Sequence, residues 1–285
     1  MANENDATKP AGSFPEGLID IRRVLETKAP ALARKLPRFL VNYLKRIVHQ
    51  DEINDILRCY HDKDGLDFMD ALIAYFGLTL ECSGREQLPR EGRFIFASNH
   101  PLGGLDGICL ASVLGRLYKE QSLRVPVNDL LLFIPNLRSI FVPVNKHGRQ
   151  ARAAASQTEA AYASACQVLT FPAGLCSRRH RGKVADVEWK KSFIQKAVEY
   201  KRDVVPVFFE GKNSNFFYRL ANLRSRLGIK ANLEMLYLAD ELFKSKHSSY
   251  HIRFGAPVPW TCFDKSRTPS QWAAVMRDAC YGLNK

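Results

Sequence analysis

The chain has 285 residues, of which 46% are hydrophobic and 25% charged, proportions that allow a sizeable core and exclude disordered, collagen-like and coiled-coil classes. A membrane-spanning helix needs about 20 mostly apolar residues, and the longest apolar stretch, 71–80, is half that length. Forty-two Lys and Arg against 29 Asp and Glu leave a net charge of +13, of which +9 lies in 178–230, where 14 basic residues accompany 5 acidic ones.

Residues 1–17 are polar and lack the apolar run of a secretory signal; a frayed tail is expected there. Between 37 and 50, Phe39, Leu40, Tyr43, Leu44, Ile47 and Val48 recur at helical spacing, and Pro37 suits the first turn. The more polar 51–60 and the apolar 67–76 continue the pattern, so 18–83 is expected to be an N-terminal helical segment that offers a face to a membrane. From about Arg93 the texture changes. Short β-branched and aromatic runs at 94–98, 139–144, 166–171, 204–209 and 251–254 read as strands. Helical patterns at 107–119, 149–164, 192–200, 214–227 and 270–281 lie between or after them. Such alternation predicts an α/β fold over 84–285, a mostly parallel central sheet flanked by helices. The seven cysteines are odd in number and contain no Cys-x-x-Cys pair, which argues against a disulfide framework or zinc ribbon and fits a reducing cytosol. No cluster has metal-ligand spacing, and no bound metal is expected.

The most informative stretch is Ser98-Asn99-His100-Pro101-Leu102-Gly103-Gly104-Leu105-Asp106-Gly107. It follows a buried-looking strand and precedes a helix, where α/β sheets place their ligand crevice. A carboxylate six residues beyond His100, across a glycine pair, can fix the imidazole tautomer and raise the basicity of the other nitrogen. This is the His–Asp half of a triad without a serine nucleophile. Its natural chemistry is direct: the histidine deprotonates an acceptor, which then attacks an activated acyl group. A second cluster, Phe171-Pro172-Ala173-Gly174-Leu175-Cys176-Ser177-Arg178-Arg179, reads as a basic loop after another strand. Its guanidinium groups suit phosphate or carboxylate. Cys176 is read as a buried thiol rather than a nucleophile. Glu210 to Asn215, after the 204–209 strand, reads either as a pocket lining or as a turn and helix cap. The charged stretch 186–191 carries no assigned chemistry.

Asn-His-Pro-Leu-Gly-Gly-Leu-Asp resembles the first signature block of the glycerolipid acyltransferase superfamily, the 1-acylglycerol-3-phosphate O-acyltransferases and their relatives. Five residues separate His100 from Asp106 where the family usually has four. The spelling is similar to a bacterial subgroup labelled haemolysins, which includes lyso-ornithine-lipid and lyso-glycine-lipid acyltransferases. Residues 140–146, 171–179 and 204–207 resemble the second, third and fourth blocks, in order. The resemblance implies His100 as general base and Asp106 as its orienting carboxylate. It implies substrate contacts from Asn99, Gly103, Gly104, Lys146, Arg149, Gly174, Ser177, Arg178, Arg179 and Glu210. The third block's usual Glu and Arg are here Ala173 and Cys176, which favours a head group other than glycerol phosphate. The implied activity is transfer of a fatty acyl group from acyl carrier protein or acyl-CoA to a lysolipid hydroxyl, with no bound cofactor. The acceptor is lysophosphatidic acid or a lyso-aminolipid.

Phe216, Phe217, Leu220, Leu223 and Leu227 are expected to share one helical face flanked by Arg and Lys, a pattern suited to an anionic bilayer surface. The expected location is therefore cytoplasmic, peripherally on the inner face of the membrane. The basic stretch contains no helix-turn-helix, zinc-finger or RNP pattern, which sets nucleic acid aside. A catalytically silent lipid-binding protein on the same scaffold and an acyl-thioester hydrolase remain as alternatives.

Overall fold

The computed structural model describes residues 18–118, 123–144, 149–229 and 231–284. Five helices come first: α1 (Ile21–Lys28), α2 (Pro30–Ala33), α3 (Arg38–Ile47), α4 (Gln50–Cys59) and α5 (Gly65–Tyr75). The stripe expected to run to residue 50 stops at Ile47 because His49 takes a left-handed backbone, φ 54°. Long-range contacts hold that turn: the His49 ring stacks on Phe243 at 4.3 Å, and Nε2 lies 3.2 Å from Asp240. Residues Thr79–Ser83, placed within the expected helical segment, form strand β1 instead. There follow β2 (Phe94–Ser98), α6 (Leu105–Tyr118), β3 (Leu123–Val127), β4 (Phe141–Pro143), α7 (Arg149–Ala163) and β5 (Gln167–Thr170). A hairpin of β6 (Arg178–His180) and β7 (Lys183–Ala185) precedes α8 (Ser192–Tyr200), β8 (Asp203–Phe209) and α9 (Asn215–Arg226). The chain closes with α10 (Leu238–Lys244), β9 (Ser249–Phe254) and α11 (Pro269–Gly282).

Among the described residues, seven strands form one sheet in the order β1-β9-β8-β2-β5-β3-β4. Every neighbouring pair is parallel except β8 and β9. All five residues of β2 are buried, as a central parallel strand covered on both faces requires. Successive side chains point to opposite faces, so Phe94 and Phe96 join a core with Met69, Leu110 and Leu114, beneath α5 and α6. Ile95 and Ala97 join the other core with Phe193, Ile194, Ala273 and Met276, beneath α8 and α11.

That layering positions the site. The connection leaving β2 crosses the first face through α6, and the one leaving β5 crosses the second through α8. β2 and β5 are neighbours, so the chain departs from them in opposite directions and opens a crevice at their carboxyl ends.

Two details revise the reading of the basic stretch. Arg202 is wholly buried, donating from Nε to the Tyr162 carbonyl at 2.7 Å and from Nη1 to the Cys166 carbonyl at 2.6 Å. Nη2 reaches the Ala161 and Ser164 carbonyls at 3.3 and 2.6 Å, so this cation serves the end of α7 and not a surface. On α9 the expected single face divides. Phe217 is fully buried beside Cys176 and Tyr218, whereas Phe216, Leu223 and Leu227 are 47, 54 and 65% exposed. Consecutive helical residues lie about 100° apart, so Phe217 cannot share the stripe of Phe216.

Candidate active site

Asp106 enters in the first turn of α6 and is completely buried. The loop before it curls around the carboxylate. Backbone N–H groups of Leu102, Gly103, Gly104 and Gly107 donate to it at 2.9, 3.4, 3.1 and 2.9 Å. Closing that ring requires φ +76° at Gly103, and a Cβ there would lie 2.9 Å from Leu238 and 3.0 Å from Cys176. The five-residue spacer therefore closes neatly on its carboxylate. His100 Nδ1 is 3.0 Å from Asp106 Oδ2. Burial pushes the Asp106 carboxyl up, but His100 and the backbone N–H groups overcome it and hold the group below its ordinary value.

Burial likewise works against a charged His100. The Asp106 carboxylate, by charge and hydrogen bond, outweighs it, with Asp186 adding to the effect, so the imidazole titrates above its ordinary value. Asp106 fixes Nδ1 as the protonated nitrogen, because an ionised carboxylate can only accept. Nε2 is then the basic atom. It makes no hydrogen bond among the described residues, and the side chain keeps 16% of its surface exposed. The ring lies over Phe171, at the exit of β5, with centroids 4.1 Å apart.

The main chain of His100 is clamped from the far side of the crevice. Its N–H donates to Asp186 Oδ1 at 3.2 Å, and its carbonyl accepts from the Ser177 N–H at 2.7 Å. The Ser177 hydroxyl and Trp189 Nε1 donate to the same Asp186 carboxylate at 2.6 and 2.8 Å. Asp186 is the residue that sequence reasoning passed over. It sits 86 positions from His100 and meets it only after the β6–β7 hairpin folds; burial raises its carboxyl above the ordinary value.

The other expected residues divide by what they touch. Asn99 pairs with the Phe209 backbone through both amide atoms, at 2.9 and 2.7 Å, which ties the ends of β2 and β8 together. Gly104 faces open space, and Gly174 takes φ +70° beside Lys190. Ser177 is buried on Asp186. Arg178 pairs with buried Glu234 at 2.7 Å, and Arg224 holds that carboxylate's other oxygen at 2.9 Å. Arg179 bonds Asn215 at 2.6 Å and lies over the Tyr218 ring. Glu210 pairs with Arg253 at 2.8 Å. Lys146 lies outside the described residues, and Arg149 begins α7. Burial pushes the Cys176 thiol up to about 11, which keeps it protonated and unsuited to nucleophilic attack.

Two concavities have linings that do not include His100. A polar hollow of about 370 Å³ is lined by residues 212–215 and by parts of α10 and β9. An apolar groove of about 650 Å³ runs along α3 beside Phe39, Leu40 and Tyr43. Among the described residues, no group of three His, Cys, Asp or Glu side chains is placed to hold a metal ion.

Known proteins bear on this arrangement. A lyso-glycine lipid O-acyltransferase of Bacteroides thetaiotaomicron is 51% identical over 266 residues, covering 93% of this chain and 97% of the relative. Another protein of that name, from Phocaeicola vulgatus, is 48% identical over 266 residues, covering 93% and 95%. Among solved structures, the 1-acyl-sn-glycerophosphate acyltransferase PlsC of Thermotoga maritima is 17% identical, with a TM-score of 0.46 over 92% of this chain and 86% of that one. The acyltransferase family model matches residues 23–284; with nearly the whole chain matched, and relatives about half identical, the protein belongs to the acyltransferase family and is an acyltransferase.

Proposed function

We propose that this protein transfers a fatty acyl group from acyl carrier protein or acyl-CoA to the hydroxyl of a lyso-glycine lipid, at a membrane surface. The observation that carries the reading is the buried Asp106 nest gripping His100 Nδ1 at 3.0 Å, which leaves Nε2 as a base at the crevice. The choice of acceptor is supported by the names of the two half-identical relatives. Glycine itself has no hydroxyl, so O-acylation of such a lipid occurs on a hydroxylated acyl chain. A chain joined through the glycine nitrogen leaves the carboxylate free.

In the reaction, His100 Nε2 takes the hydroxyl proton as the oxygen attacks the thioester carbonyl. The tetrahedral intermediate collapses with cleavage of the carbon–sulfur bond, and the imidazolium returns its proton to the departing thiolate. The products are an ester and a free thiol, and His100 ends as it began. Asp106 remains ionised and stabilises the imidazolium while it exists.

Membrane contact is supported by a surface that joins two stripes. Phe39 is 69% exposed on α3, Phe216 and Leu223 are exposed on α9, and Leu227 is exposed at its C-cap. Tyr237 bridges them, with its hydroxyl on that of Tyr43 and its ring 4.9 Å from Phe216. Arg38, Lys45 and Arg46 belong to the same helix α3, and Arg219 and Arg226 to α9, as an anionic interface favours. Among the described residues no helix is long and apolar enough to cross a membrane.

The decisive experiment incubates the protein and His100→Ala with labelled acyl carrier protein and acyl-CoA, against lyso-glycine lipid, lyso-ornithine lipid and lysophosphatidic acid. Products are read by mass spectrometry. The expected result is an ester of lyso-glycine lipid that the variant does not make. Free fatty acid and thiol without an ester would replace this reading with a hydrolase.

A further inference from the structure

We propose that the polar hollow at the exit of β8 binds the carboxylate of the acceptor's glycine head group. The inference rests on the lyso-glycine lipid reading above and assigns that acceptor a specificity site outside the basic third block.

Its position follows from the sheet. β8 is the parallel neighbour of β2, so both strands end at the edge that carries His100. The Asn99 amide locks Phe209 to the end of β2, and a Cβ on Gly211 would lie 3.3 Å from the Leu102 side chain. Lys212 and Asn213 therefore emerge beside the loop that encloses Asp106.

The hollow has an exposed cation on its rim and an unpartnered donor buried in its wall. Asn213 is 5% exposed and lines the cavity, and its Nδ2 is buried without a hydrogen-bond partner among the described residues. A bare buried donor costs about 1–3 kcal/mol, so it calls for an acceptor. Lys212 is exposed on the rim and makes no ion pair among the described residues. The other charges are matched among themselves. Lys244 pairs with Asp240 at 2.5 Å and lies 3.6 Å from Glu241. The Glu241 oxygens accept from the Ser214 N–H and hydroxyl, both at 2.6 Å, which also caps α9. What remains is one ammonium and one amide N–H, suited to the two oxygens of a carboxylate. Of the third-block guanidiniums, Arg178 is neutralised by Glu234, and Arg179, which donates to Asn215 at the hollow's edge, is the rival cation that the test includes.

The test is binding, independent of turnover. N-octanoylglycine carries the carboxylate but has no hydroxyl to acylate; N-octanoylglycinamide is its uncharged counterpart. Both are titrated calorimetrically into the full protein, below their aggregation concentrations. The acid is expected to bind about tenfold more tightly than the amide, a preference that Lys212→Gln abolishes. Asn213→Asp, which places a carboxylate where the donor was, is expected to reverse it. Equal affinity of the native protein for both ligands would overturn the proposal, as would a preference that survives Lys212→Gln but vanishes in Arg179→Gln. Acid-selective binding without ester formation on lyso-glycine lipid would keep this site and reject the acceptor reading instead.

Discussion

At Asp106 one carboxylate receives five donors: four backbone N–H groups and His100 Nδ1. All five favour the ionised form, and the ionised form in turn raises the proton affinity of His100. The proposed base would work only when neutral, so kcat/KM should fall as the pH drops through the elevated His100 value. Replacing Asp106 with Asn removes the charge and turns one donor toward other donors. The Asp106→Asn variant should lose about 10²–10⁴-fold in kcat. The acid limb of its kcat/KM profile should also move to lower pH, because the imidazole no longer feels a carboxylate. A pH profile of ester formation for both proteins reads both effects; an unmoved acid limb would deny His100 the role of base.

The His100–Asp106 pair was legible in the sequence because strand, glycine turn and helix start are all local features within ten residues. Asp186 was not, since nothing within 186–191 records that its carboxylate will face His100 and Ser177. In the third block the sequence conceals partners instead. Arg178 and Arg179 look like ligand-binding guanidiniums in sequence, but their partners Glu234 and Asn215 lie 56 and 36 positions away.

Among elements, β2, β5 and β8 declare themselves as apolar runs because both faces are covered, and the sheet is mostly parallel as expected. Two strands of the seven-stranded sheet were passed over for physical reasons. β1 is an edge strand whose exposure alternates along Thr79–Ser83, so it lacks an apolar run. β3 contains Arg124 and Pro126, and proline speaks against a sheet interior. The structure accommodates it because β5 pairs with β3 only at Leu123 and Arg124. The junction of α7 with β5 depends on Arg202, whose guanidinium satisfies four carbonyls at the helix end. An Arg202→Met variant keeps much of the volume but leaves those acceptors bare. It should lower unfolding stability by roughly 1–3 kcal/mol or more, visible as a reduced urea midpoint.

For the whole molecule, the +13 charge is not simply a basic coat, because Arg202 faces inward and Arg178 and Arg224 share buried Glu234. The proposed bilayer contact is therefore carried as much by apolar exposure as by charge. Leu223→Asp with Leu227→Asp should weaken sedimentation with anionic vesicles by about tenfold per site, since each leucine forfeits roughly 1.5–3 kcal/mol of burial. Thermal unfolding should hardly change, because both side chains are more than half exposed in the fold. Loss of vesicle binding together with a large drop in melting temperature would mean that the stripe is structural.

Helix α9 begins at the wall of the polar hollow, where Ser214 caps it, and its exposed stripe starts two residues later at Phe216. Twelve residues of helix cover about 18 Å, less than the thickness of one bilayer. On the proposed orientation, an acceptor would lift only its polar end out of the leaflet while its chain stayed among its neighbours. Turnover would then answer to how densely the leaflet is seeded with acceptor and hardly to the amount suspended in the bulk. The doubly tailed product would clear the enzyme by sliding sideways into lipid, with no passage through water.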